Sequence, residues 1–135
     1  MARLLKERFA DHSITVYPDA SGGNTSSKSA SESDLSILRA AGLRVAHRPS
    51  NPAIKDRVAS VNALVLNDTG ERRYLVNTRA CPVFTECLEQ QAYDKHGEPD
   101  KTTGHDHCND AAGYFVHHEW PVVSRNVQRL RIVGT

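Results

Sequence analysis

The sequence predicts an α/β fold with a parallel βαβ core, an added hairpin and flanking helices. Three observations carry that prediction. Ser13-Ile-Thr-Val-Tyr17 and Leu43-Arg-Val-Ala-His47 are short runs rich in β-branched and apolar residues, the composition of buried strands. One helical segment separates them, and a strand–helix–strand order joins parallel strands by a right-handed crossover. Farther on, Ile54, Val58, Val61 and Val65 recur at spacings of four, three and four, the stripe of an amphipathic helix. With 135 residues, the chain has the size of one domain with a real core.

The elements follow in order. Leu4, Leu5 and Phe9 stand at helical spacing, which predicts a short helix over Arg3–Phe9. The first strand, Ser13–Tyr17, is closed by Pro18. Asp19–Ser33 is built from Gly, Ser, Asn and Thr and predicts an exposed loop. A helix starts near Ser31 or Ser33, takes its apolar side from Leu35, Ile37 and Leu38, and has Gly42 where a C-terminal cap belongs. Leu43–His47 is the second strand, and Arg48-Pro-Ser-Asn-Pro52 stops it. The striped helix is Ala53–Leu66. After a turn at Asn67–Gly70, Arg72–Asn77 reads as a strand, giving a hairpin across Leu64–Val76. Pro82 opens a helix running to about Tyr93, Asp94–Thr103 is a polar loop, and a last helix spans about His105–Glu119, stopping before Pro121. The domain is expected to occupy residues 1–123, with 124–135 as a tail.

Composition excludes several classes of function. Seventeen Lys and Arg against sixteen Asp and Glu leave a net charge of +1, so the chain is neither a polybasic coat nor an acidic tail. A basic stripe for nucleic acid still fits inside a neutral total. Mean hydropathy is −0.52, and no apolar run approaches the roughly 20 residues that span a bilayer. The charged start, MARLLKERFADH, lacks a signal-peptide core, and the expectation is a soluble intracellular protein without membrane contact. Cys81, Cys87 and Cys108 are an odd set that makes no secreted disulfide framework.

Two acidic features carry chemistry. Asp19 follows the first strand in Y-P-D-A-S-G. At the carboxyl end of a parallel strand it faces the crevice where α/β sheets bind ligands, and the other reading is a plain turn aspartate. Asp106 and Asp110, in H-D-H-C-N-D-A-A-G-Y, are four apart and share a helix face. Paired carboxylates suit a hard cation such as Mg²⁺ or Mn²⁺, while the alternative is an acidic helix start with one aspartate as its cap. Five of the seven histidines fall in the last third. His105, His107, Cys108, His117 and His118, with Cys81 and Cys87, allow a zinc reading, but they lack the pair spacings of familiar structural sites. No Ser/His/Asp or Cys/His arrangement suggests a protein nucleophile.

Taken in order, Y-P-D-A-S-G, the run N-P-A-I-K-D-R-V-A-S-V-N-A (Asn51–Ala63) and H-D-H-C-N-D-A-A-G-Y resemble the C-terminal nuclease domain of the large terminase subunit of tailed bacteriophages. The resemblance runs from about Ile14 to Val122. It implies an RNase H-like fold and cleavage of concatemeric viral DNA during packaging, inside the bacterial host cytoplasm. It also implies carboxylates that hold two divalent metals, Mg²⁺ or Mn²⁺, for an in-line phosphodiester displacement. Asp19 takes the family's second acidic position, and Asp106 and Asp110 take the third. Lys55, Arg57 and Arg48, with Lys101 near the acidic helix, become candidates for phosphate contacts that position DNA without reading sequence. Arg72 and Arg73 join them through the hairpin.

The family's first acidic position lies on an earlier strand, a context that neither Glu7 nor Asp11 provides. The packaging ATPase's G-x-x-x-x-G-K-[ST] loop is also missing from the sequence. The expectation is therefore a partial nuclease domain, with one sheet edge left for a second copy or a partner chain to complete. The portal and other terminase subunits are the implied partners. The alternative function is a non-catalytic module, such as a prophage remnant, that binds DNA or the packaging machinery.

Overall fold

The computed structural model describes residues 1–20 and 28–122. Five helices and two strands follow one another as α1 (Ala2–Arg8), β1 (Thr15–Val16), α2 (Lys28–Ala40), β2 (Arg44–Val45), α3 (Ile54–Val65), α4 (Pro82–Gln90) and α5 (Asp106–Glu119). The expected tail over 124–135 and residues 21–27 of the expected loop over 19–33 lie outside the described residues.

The βαβ order is present. β1 pairs with β2 in parallel, with Thr15 opposite Arg44 and Val16 opposite Val45. The Arg44 amide donates to the Ile14 carbonyl at 3.0 Å and the Ala46 amide to Val16 at 2.9 Å. The helix between them begins at Lys28, earlier than Ser31: Lys28, Ala30 and Glu32 are better helix formers than the serines around them suggest. It ends as the sequence indicates. Gly42 adopts φ +80°, its amide reaches the Arg39 carbonyl at 2.9 Å, and the Leu43 amide reaches Leu38 at 3.1 Å. Those two bonds form a Schellman cap that turns the chain into β2.

The layer that positions the site is helical: α5 lies across α3 and α4. Leu64, Cys87 and Val116 are its buried apolar residues, and Leu43, at the entry to β2, is buried as well. The buried row of α3 is Arg57, Ser60 and Leu64, one step round from the expected stripe, and Val65 is exposed. Hydrophobic periodicity misplaced that face because two polar side chains on it find partners on α5 and are buried with them.

The hairpin expected over Leu64–Val76 is not formed. After α3 the Asn67 side-chain oxygen accepts the Thr69 amide at 3.1 Å and the Glu71 amide at 2.8 Å, closing the predicted turn. Beyond it, the Arg73 and Tyr74 amides both converge on the single Leu64 carbonyl, at 2.7 and 2.9 Å. One shared acceptor builds no ladder, so Arg72–Asn77 runs on without strand pairing. Among the described residues a hairpin-like bridge joins Tyr93 and Pro99 instead, inside the stretch expected to be a plain loop. There Asp94 accepts the His96 amide at 2.8 Å and the Glu98 amide at 3.0 Å. α4 starts with Pro82 at its first turn and ends at Gln90, short of Tyr93. No helix among the described residues is long and apolar enough to cross a membrane.

Candidate functional site

α5 presents Asp106, Asp110 and Tyr114 along one face, four residues apart. Asp106, in the first turn, gains from the helix N-terminus, and it is 4% exposed. Its Oδ2 lies 4.0 Å from the Lys101 Nζ and 3.9 Å from the His107 Nδ1. Its Oδ1 is buried and accepts no hydrogen bond. One turn on, Asp110 Oδ1 is 2.7 Å from the Arg57 Nη2, and its Oδ2 is 3.3 Å from the Lys101 Nζ. Both oxygens of Asp110 therefore face a cation.

Arg57 was expected to lie against a duplex. It is instead 4% exposed, and its guanidinium stacks 4.6 Å from the centre of the Tyr114 ring. Its stem crosses the Gly113 backbone, where a Cβ would come within 2.8 Å of the Arg57 Cγ. The guanidinium thus serves Asp110 and Tyr114 from inside the fold, and a cavity of about 170 Å³ beside it is walled by Val58, Val61, Leu88 and Pro99. Burial of the Arg57 side chain strengthens the ion pair relative to one in water.

Asp19 stands past the carboxyl end of β1, where the Asn51 side-chain amide donates to its Oδ1. The Asn51 oxygen accepts the Ala20 amide at 2.8 Å, so one asparagine ties the turn after β1 to the segment leading into α3. A small crevice opens there, lined in part by Pro18, Arg48, Asn51, Tyr114 and His118. Tyr114 connects the two acidic features. Burial pushes its phenol up, the Asp19 and Asp110 charges push the same way, and the Arg57 and Lys101 charges oppose them.

The remaining expected residues are dispersed. Lys55 is exposed on the first turn of α3, and Arg72 and Arg73 are exposed beyond its end. Arg48 donates from Nε to the His118 Nδ1 at 3.1 Å. His117 shares a 3.0 Å hydrogen bond with the Ser60 hydroxyl. Cys87 is buried and Cys81 exposed. Burial, with a bond to the Cys108 thiol, holds the Cys87 thiol above its ordinary value. Among the described residues no group of three or more His, Cys, Asp or Glu side chains is placed to hold a metal ion. Neither the zinc set nor the three carboxylates form a shared shell.

The carboxylate pair itself, in this arrangement, does not fit a divalent ion. Asp106 and Asp110 contribute two negative charges, and Arg57 and Lys101 return two positive ones. A hard divalent cation needs oxygen ligands with uncompensated charge. Only the orphaned Asp106 Oδ1 meets that description here.

Asn51, Gly113 and Tyr114 were not singled out from the sequence as site residues. Tyr114 had a usable signal, since it continues the four-residue spacing of Asp106 and Asp110. Asn51 and Gly113 had none, because each acts through a partner distant in the chain.

The family model of the terminase RNaseH-like domain matches residues 1–119, so the chain belongs to the terminase RNaseH-like domain family. No curated protein and no solved structure matches it.

Proposed function

From that membership, we propose that the chain is a nuclease domain of a phage DNA-packaging terminase, built for hydrolysis of phosphodiester bonds in concatemeric double-stranded DNA. By the family relation, Asp19, Asp106 and Asp110 are its carboxylates and Mg²⁺ or Mn²⁺ is the cofactor class, although Arg57 and Lys101 neutralise the α5 pair in this arrangement. The observation that carries this reading is the place of Tyr114: one turn beyond Asp110 on α5, it lines the same crevice as Pro18 and Asn51, and the Asn51 amide donates to Asp19. That is the strand-end-plus-helix-start arrangement expected of a ligand crevice in an α/β sheet. Lys55 and Arg48 are the phosphate-contact candidates at this end, while Arg57 positions Asp110. The host cytoplasm is the setting, and a second copy, a partner chain, the portal or other terminase subunits are the partners.

A second reading is favoured by the neutralised pair. With both Asp110 oxygens engaged, the chain by itself acts as a non-catalytic module that binds DNA or the packaging machinery. Supercoiled-plasmid nicking in Mn²⁺, on the wild type and on D19N, separates the two. Nicking that disappears in D19N is the result expected of the nuclease reading. A folded wild type that never nicks the plasmid establishes the binding module in its place.

A further inference from the structure

Two of the three cysteines meet inside the helical layer. Cys87 is the buried residue of α4, 6% exposed. Cys108 stands half-buried in the first turn of α5. The two helices pack against each other, and the contact is close at this point. The side-chain amide of Asn109, the residue after Cys108, donates to the Cys87 carbonyl at 2.8 Å, and the Cys87 and Cys108 thiols share a hydrogen bond. Cys81, just before α4, is exposed.

The two thiols differ in the way a stepwise thiol–disulfide exchange needs. The thiolate is the species that attacks a disulfide. Burial, and then the bond to Cys108, hold the Cys87 thiol above its ordinary value, so near neutral pH it stays protonated and shielded from reagents. Cys108 keeps part of its surface in solvent and is the thiol that meets a reagent first. About 20 residues lie between the two, and a cross-link that closes a loop of that length stabilises a fold.

We propose that Cys87 and Cys108 are a redox-sensitive pair, which a low-molecular-weight disulfide such as glutathione disulfide converts into a covalent lock between α4 and α5. The Cys108 thiolate attacks one sulfur of the reagent and breaks its S–S bond. One glutathione leaves as a thiolate and takes up a proton, and Cys108 holds the other as a mixed disulfide. Cys87 then gives up its proton and attacks the Cys108 sulfur, which expels the second glutathione. In total, two protein thiols are oxidised to one disulfide, and one glutathione disulfide is reduced to two glutathiones. The lock stands apart from any role of the acidic residues on α5.

The test uses the full chain with Cys81→Ser, which removes the exposed thiol. The protein is incubated with glutathione disulfide near neutral pH and read by intact mass and by non-reducing peptide mapping. The expected product has lost both free thiols, carries no glutathione and yields one peptide pair joined through Cys87 and Cys108. Its Tm should rise by at least about 5 °C over that of the reduced protein, as expected for a closed loop of that size. A product that melts no higher overturns the lock. Adding Cys87→Ser must stop the reaction at one glutathione on Cys108, and adding Cys108→Ser must leave Cys87 unmodified until urea unfolds the chain. Glutathione on both cysteines, or two thiols that stay free in the folded chain and react only in urea, refutes the pair. Should C81S fail to fold, peptide mapping of the oxidised wild type decides: a Cys87–Cys108 linkage upholds the proposal, and a linkage through Cys81 in its place refutes it.

Discussion

Gly113 shows how one missing carbon shapes the site. A Cβ there would meet the Arg57 Cγ at 2.8 Å and Cδ at 2.9 Å, and the Arg57 head is pinned by Asp110 at 2.7 Å and by the Tyr114 ring. Two effects compete in G113A. Alanine improves the helix by about 1 kcal/mol, whereas forcing a group into a filled interface costs about 1–3 kcal/mol. Because the arginine stem is trapped between α3 and α5, overpacking wins, and the expected net loss is about 1 kcal/mol in a urea melt. A stabilised G113A would mean that Arg57 steps aside freely. The sequence made Asp106 and Asp110 legible, because four-residue spacing on a helix is a local signal. That Asp110 faces Arg57 was not legible, because the pair bridges two helices far apart in the chain. An arginine on a helix otherwise reads as solvated.

Among the elements, the short ones were read best where the punctuation was chemical. Pro82 at the first turn of α4, Gly42 in its left-handed cap and the Asn67–Gly70 turn all stand where the sequence placed them. Partnering is what sequence left open: Arg72–Asn77 has a strand-like composition but no strand to pair with, and the α3 face turned by one position to bury Ser60 and Arg57. The Tyr93–Pro99 turn is a small element whose stability depends on pH. Backbone amides, foremost that of Glu98 and then that of His96, donate to the Asp94 carboxylate and hold its pKa below the ordinary 3.8. A depressed folded value means that the ionised form stabilises the turn. That contribution is complete above the ordinary value and disappears as pH falls below it. Amide exchange at His96 and Glu98 should therefore lose protection as the solution is taken from about pH 5 to about pH 2.5, beyond the intrinsic change in exchange rate. D94A should show low protection throughout, and equal pH responses in the two proteins would remove Asp94 from this role.

At the scale of the molecule, the four buried apolar residues among those described, drawn from β2's entry, α3, α4 and α5, make a thin core, so polar locks carry part of the cohesion between elements. The family was readable because three motifs keep their order along the chain, whereas these locks were not, since each is a bond between residues with no sequence relation. Asn109 is one lock: from α5 its amide donates to the Cys87 carbonyl at 2.8 Å and to the Gln91 oxygen at 2.6 Å. Ser60 is the other, and it is 0% exposed. Its hydroxyl donates to the Asp56 carbonyl at 2.9 Å, which leaves the oxygen to accept from His117 Nδ1 at 3.0 Å and from the Val122 amide at 3.0 Å. That bonding ties α3, α5 and the chain after Pro121 to one atom. S60A removes three hydrogen bonds from this cluster, at a combined cost of about 1–3 kcal/mol, or a fall in Tm of roughly 4 °C for each kcal/mol in a domain of this size. H117A removes one of the same bonds, so the losses in S60A and H117A should not add: the double variant should fall short of their sum by at least about 0.5 kcal/mol. Strict additivity would show that Ser60 and His117 stabilise the molecule separately.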